Sequence, residues 1–139
     1  RLNSVSGGNA QLLSNLGSGA GNFTVRFLDT TNVIDFIVDG VLRKTGITVA
    51  ANEWFYVSVS YDYANWYFHS GLVSTGIATL AGGSAFAQAS NNMDAGLYIG
   101  GTTSGGTMRG FFSQVRVTGG VAMNTNGAIV IPQAPFATA

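Results

Sequence analysis

Trp54-Phe55-Tyr56-Val57-Ser58-Val59-Ser60-Tyr61-Asp62, followed after three residues by Trp66-Tyr67-Phe68-His69-Ser70-Gly71, decides the fold. Side chains on a strand alternate between its faces, so a repeat of two marks a half-buried strand. Phe55, Val57, Val59 and Tyr61 share one face; Trp54, Tyr56, Ser58 and Ser60 share the other. In the next run Trp66 and Phe68 fall on one face, Tyr67 and His69 on the opposite one. Asp62-Tyr63-Ala64-Asn65 supplies the connection, so the two runs read as neighbouring strands with Trp66 and Phe68 packed against Val57 and Val59.

The same period extends outward. Phe23-Thr24-Val25-Arg26-Phe27 alternates. Val33 to Val38 follows, and Asp39-Gly40 is a strong hairpin signal. Val41 to Gly46 returns, with Gly46 read as its end and Ile47 to Ala50 as another short strand. The stretch from Leu72 to Leu80 has room for one more strand, residues 81–96 read as a long loop, and Leu97 to Gly100 as a compact strand. Residues 109–120, RGFFSQVRVTGG, alternate again and are predicted as a strand. Short strands, glycine-rich turns and no helical period predict an all-β fold, an antiparallel β-sandwich. Residues 1–22 read as a flexible lead-in or a first strand, 23–120 as the sandwich, and 121–139 as an irregular tail with one apolar stretch, Ala128 to Ile131.

Composition narrows the function. The chain has 139 residues, which fits one domain. Charged residues are 9% of the chain, and six Lys and Arg balance six Asp and Glu. This neutrality argues against binding nucleic acid by phosphate neutralisation, and against steering onto anionic membranes. With no cysteine and one histidine, disulfides, thiol catalysis and any site needing two imidazoles are excluded. A small neutral domain tiled with Ser, Thr, Asn, Gly and Ala has little colloidal protection, so part of its surface is expected to be covered by other subunits. No apolar run approaches the ~20 residues of a membrane-spanning helix.

Three stretches in order resemble a laminin-G-like module of the concanavalin A-like jelly-roll superfamily. They are Trp54 to Asp62; Trp66 to Gly71; and Leu97-Tyr98-Ile99-Gly100 with Arg109 to Val117. The ending Val115-Arg116-Val117-Thr118-Gly119-Gly120-Val121-Ala122, then Pro132-Gln133-Ala134-Pro135-Phe136, is similar to laminin-G-like domains of tailed-phage structural proteins. Met123-Asn124 stands where those carry Arg-Tyr. The resemblance implies a jelly roll lacking N-terminal strands, either trimmed of them or receiving them from upstream sequence, and a virion structural module of capsid or tail whose partners are its own copies and other virion proteins. An extracellular location is the alternative setting.

Catalysis is not expected. Glycosidase chemistry needs two carboxylates across a sugar, whereas Glu53 is the only glutamate and no strand presents two carboxylates on one face. No cofactor is expected. Calcium, common in relatives of the resembled family, has as candidates Asn91, Asn92 and Asp94, or Asp62 with Asn65; turn residues bonding their own backbone are the favoured reading of both. The second functional expectation is a carbohydrate-binding module for host-surface glycan. Sugars need aromatic faces and polar hydrogen-bonding groups, and Tyr56, Tyr67 and His69 on the outward face with Tyr63 and Asn65 in the turn would supply them. The competing reading is an interface that covers the same residues.

Overall fold

The computed structural model describes residues 2–6, 9–15, 22–28, 30–87, 96–100, 107–118, 122–125 and 127–133. In chain order the strands are β1 (Leu2–Ser6), β2 (Asn9–Asn15), β3 (Phe23–Leu28), β4 (Val33–Val38), β5 (Val41–Thr48), β6 (Phe55–Tyr61), β7 (Asn65–Leu72), β8 (Ile77–Leu80), β9 (Phe86–Ala87), β10 (Leu97–Ile99), β11 (Thr107–Gly110) and β12 (Ala128–Val130). One sheet has the order β10-β2-β3-β4-β5; the other has β12-β8-β7-β6, with β9 also on β7. β1 pairs with β11. All these pairings are antiparallel. The chain is therefore an antiparallel β-sandwich.

The alternating apolar residues meet between the sheets. Val25, Ile34, Phe36, Val38, Trp66 and Phe68 are buried there, and Phe55, Val57, Val59 and Tyr61 pack against them. Phe36 lies at the centre of an aromatic cluster, with ring centroids 6.2 Å from Phe23, 5.6 Å from Trp66, 5.2 Å from Phe68 and 5.8 Å from Phe86. Tyr61 is the cross-strand partner of Trp66 and stacks on it at 4.6 Å. Such offset contacts add about 0.5–1.5 kcal/mol beyond area burial.

Turn chemistry is where the sequence placed it. Asp39 and Gly40 both have positive φ, at 53° and 75°, the requirement of the tightest right-twisted hairpin turn. Asp39 also receives the Asn22 N–H on its carboxylate at 3.1 Å, tying the β4–β5 turn to the start of β3.

Five expectations change. Residues 1–22 contain two strands, and β2 sends Leu12 into the core. Gly46 does not end a strand; β5 runs through it, because a Cβ there would lie 2.6 Å from Ser70 Oγ on the facing sheet. The missing side chain lets β5 approach β7 closely enough for Ile47 N–H to donate to Ser70 Oγ at 3.1 Å. Gly71, which closes the Trp66–Gly71 run and reads from sequence as a strand end, likewise lies inside β7. The predicted strand over 109–120 stops at Gly110: residues 111–118 belong to no strand and are exposed. The tail is more regular than read, since its apolar stretch forms β12 against β8.

Candidate functional site

The β6–β7 hairpin carries the residues singled out from sequence. Its turn is built on Asp62. Asp62 Oδ1 accepts the N–H of Ala64 at 3.0 Å and of Asn65 at 2.6 Å. Asp62 Oδ2 accepts the Tyr67 hydroxyl at 2.8 Å and Asn65 Nδ2 at 3.4 Å. Tyr63, at φ 73°, sits at the tip, and its carbonyl accepts the Tyr61 hydroxyl at 2.9 Å. These bonds leave Tyr63 82% exposed beside a fixed carboxylate.

Those donors favour the ionised acid. The Asn65 backbone N–H, then the Tyr67 hydroxyl and the Ala64 N–H, lower the Asp62 carboxyl from its ordinary 3.8 to about 2. The same bond to Asp62 raises the Tyr67 phenol above its ordinary value, and burial adds to the rise. A carboxylate depressed by folding contributes stability that is present above its unfolded value and is lost as pH falls through its folded value. Stability measured by urea unfolding is therefore expected to decline from about pH 4 towards pH 2, and Asp62→Asn to flatten that decline. An unchanged slope in the variant would show that the turn does not hold the charge.

The predicted aromatic platform is not continuous. Tyr63, Asn65 and Tyr67 come together around Asp62. Tyr56 stands opposite Gly71 while Tyr67 stands opposite Ser60, which separates the two tyrosines by roughly 13 Å of strand. His69 points to the outward face as read, but it is fully buried. Its neighbours in register are Ser58 and Leu80, and the C-terminal segment lies over this face. Asn124 Nδ2 donates to Ser58 Oγ at 2.8 Å, and Asn124 N–H donates to Ser60 Oγ at 3.3 Å. Leu80 N–H donates to Gly127 O, and Ile131 N–H to Gly76 O. Ala78, Leu80 and Ile131 are buried here, apart from the inter-sheet core. Part of the proposed sugar face is thus an internal interface made by the chain's own tail. Sequence gives no local sign of it, because Asn124 meets serines more than sixty residues away.

Of the two calcium candidates, Asn91, Asn92 and Asp94 lie outside the described residues. At the other, both Asp62 oxygens are taken up by the turn itself. Among the described residues no three of His, Cys, Asp and Glu gather into a metal-binding group.

A cleft of about 480 Å³ opens where the end of β5 passes over β7 and β8, lined by Ile47, Thr48, Leu72, Thr75, Ile77 and Thr79 among others. It carries no charge and contains none of the residues predicted from sequence.

No protein-family model matches the chain, and no curated protein or solved structure matches it significantly.

Proposed function

We propose that this chain is a non-enzymatic structural module that works by protein–protein assembly, as a capsid-decoration or tail-associated component of a virion. The observation that carries the reading is an exposed, mostly apolar surface on a folded sandwich. Residues 111–118 expose Phe111, Phe112, Val115 and Val117 by 58%, 48%, 48% and 71%. The edge strand β10 exposes Leu97, Tyr98 and Ile99 as well. Single exposed apolar residues are ordinary, but contiguous ones mark interaction surfaces. With 9% charged residues there is little charge around them to keep copies apart. The virion setting rests on the resemblance of the ending, Val115 to Ala122 with Pro132 to Phe136, to laminin-G-like domains of phage structural proteins, and within that reading the sandwich is a jelly roll.

Light scattering on purified protein, alone and mixed with capsid or tail proteins, tests it. Self-association or binding that weakens after Val117→Lys is the expected result. A chain that stays monomeric and binds neither would sink the reading.

Glycan binding remains the second reading, favoured by one observation: Tyr63 stands exposed beside the ionised, fixed Asp62 carboxylate. A glycan array with Tyr63→Ala and Tyr67→Ala tests it. His69→Ala is a poor probe, since a buried side chain reports packing. Absence of binding, or binding indifferent to both tyrosine changes, removes this reading.

A further inference from the structure

β8 and β12 carry the second sheet past the end of the first. Strand register fixes which of their side chains look inward. Ser70 of β7 is on the inner side, where its hydroxyl meets Ile47 of β5, and its cross-strand partner in β8 is Thr79. Thr79 and Ile77 therefore point inward, and so do their partners in β12, Ala128 and Val130. In a sandwich, inward side chains of this kind make the core. Here they meet water instead. Ile77 is 50% and Val130 80% exposed, and Thr79 and Ala128 are exposed with them. On the opposite side of the same strands, Ala78, Leu80 and Ile131 are buried.

The cause is an offset between the layers. β5 is the last strand of the first sheet on this side, and among the described residues no strand follows it over β8 and β12. The cleft of about 480 Å³ is the corner of this step. Ile47 and Thr48 form its wall, and Leu72, Thr75, Ile77 and Thr79 lead out of it onto the open ledge. None of these residues is charged, nor are Ala128 and Val130. The nearest lysine along β5, Lys44, turns to Ser84, with Nζ 3.3 Å from Ser84 Oγ.

The space above the ledge has the shape of the ledge itself: one sheet thick and two strands wide. A two-fold axis running along the strands turns the ledge of one copy onto that of another. It lays β12 of each copy over β8 of the other and keeps residues at their level along the strands. Val130 then meets Ile77 of the second copy, and Ala128 meets its Thr79. Apolar groups face apolar groups, small ones face small ones, and no charge meets its like.

We propose that two copies of this chain lap these ledges, inner face on inner face, so that each supplies the layer that the other lacks. The occupant is a second copy because one two-fold operation fills both steps at once and closes at a dimer. This inference rests on the assembly reading and names its partner and contact. The contact is smaller than the roughly 800 Å² per partner of a standard interface, so dissociation in the micromolar range or weaker is expected of the free chain. Copies held side by side on a particle would gain from their high effective concentration.

The test is light scattering on the full chain over a dilution series reaching about 200 µM, where a contact of this strength is populated. The expected result is a concentration-dependent dimer, weakened at least about tenfold by Val130→Lys or by Ile77→Lys, since each buries an unpaired charge in the lap. Both side chains are exposed in the single chain, so near-UV circular dichroism should not change. Val41→Lys is the control: Val41 is as exposed as Ile77 but stands at the β4–β5 turn, and the dimer should ignore it. The chain has no cysteine, so a mixture of Val130→Cys and Ile77→Cys chains treated with a short bismaleimide should cross-link between copies, whereas Val41→Cys should not. Association that ignores both lysine changes overturns the lap and leaves assembly standing through another surface, which Val117→Lys would then weaken. A monomer that binds capsid or tail proteins removes the second copy as occupant, whether or not Val130→Lys abolishes that binding. A monomer that binds nothing removes the assembly reading as well.

Discussion

Gly71→Ala is expected to destabilise the fold more than any other single-methyl addition in the β6–β8 sheet. Gly71 lies in β7 where β8 passes so close that a Cβ would be 2.6 Å from Ala78 Cα, and would also run into the Ile77 carbonyl. Both obstacles are backbone, so no side-chain rotation relieves them. The Ile77–Leu80 strand must move away, which disturbs its pairing with β7 and, through it, the β12 strand of the tail. Overpacking of this kind costs typically 1–3 kcal/mol and more where backbone must shift; about 3 kcal/mol is expected here. For a domain of this length that is a fall in Tm of roughly 10 °C by thermal circular dichroism. Gly127→Ala is the control: a Cβ there meets nothing within 4 Å, and its expected effect is within about 0.5 kcal/mol. Equal melting of the two variants would show that the strands are farther apart than described.

Phe36→Ala should be costlier still. Phe36 is fully buried and its ring meets Phe23 on β3 of its own sheet and Trp66, Phe68 and Phe86 on β7 and β9 of the facing sheet. Removing it takes away the ring with the most aromatic contacts between the two sheets and leaves a cavity that the surrounding aromatic groups cannot fill without leaving their own contacts. Deletions of this size cost about 3–5 kcal/mol, a large share of the 5–15 kcal/mol that holds a typical domain together. Trp66 gives a spectroscopic readout, because its ring is 5.6 Å from Phe36. Its fluorescence should shift with the unfolding transition moved to lower urea. Phe36→Leu keeps most of the volume and should lose less than half as much stability as Phe36→Ala. If the alanine variant unfolds at the wild-type urea concentration, the core does not centre on this residue.

These two positions differ in how far they can be read in advance. Phe36 lies in an apolar run that ends at an Asp-Gly turn, so its place on a strand follows from sequence, while its place at the centre of the core follows from the sheet that faces it. Gly71 stands at the end of a run whose composition suggests a turn, and only the approach of β8 explains why no side chain fits. The candidate site divides the same way. Asp62, Asn65 and Tyr67 are within five residues of one another, and their mutual hydrogen bonds grow from local turn chemistry. His69 was legible as outward-facing, yet its burial depends on Asn124, Gly127 and Ile131 arriving from the far end of the chain.

The strand from Arg109 to Gly120 shows the limit from the other side. Its period of two is clear, but period describes what a segment is fit to pair with, and pairing needs a partner in reach. The described chain pairs only Thr107–Gly110, with β1, and leaves 111–118 outside both sheets.

Alternation and turn residues determined that this chain makes antiparallel strands and which side chains of β6 and β7 enter the interior, and composition determined that charge plays little part in its surface. The first two are properties of neighbours in sequence, set by the pleat and by φ preferences. The tertiary structure decided which outward faces stay exposed, which glycines are sterically required and which part of an inner face is left open. Those depend on contacts between segments far apart in the chain, and a local pattern carries no information about what will arrive to cover it.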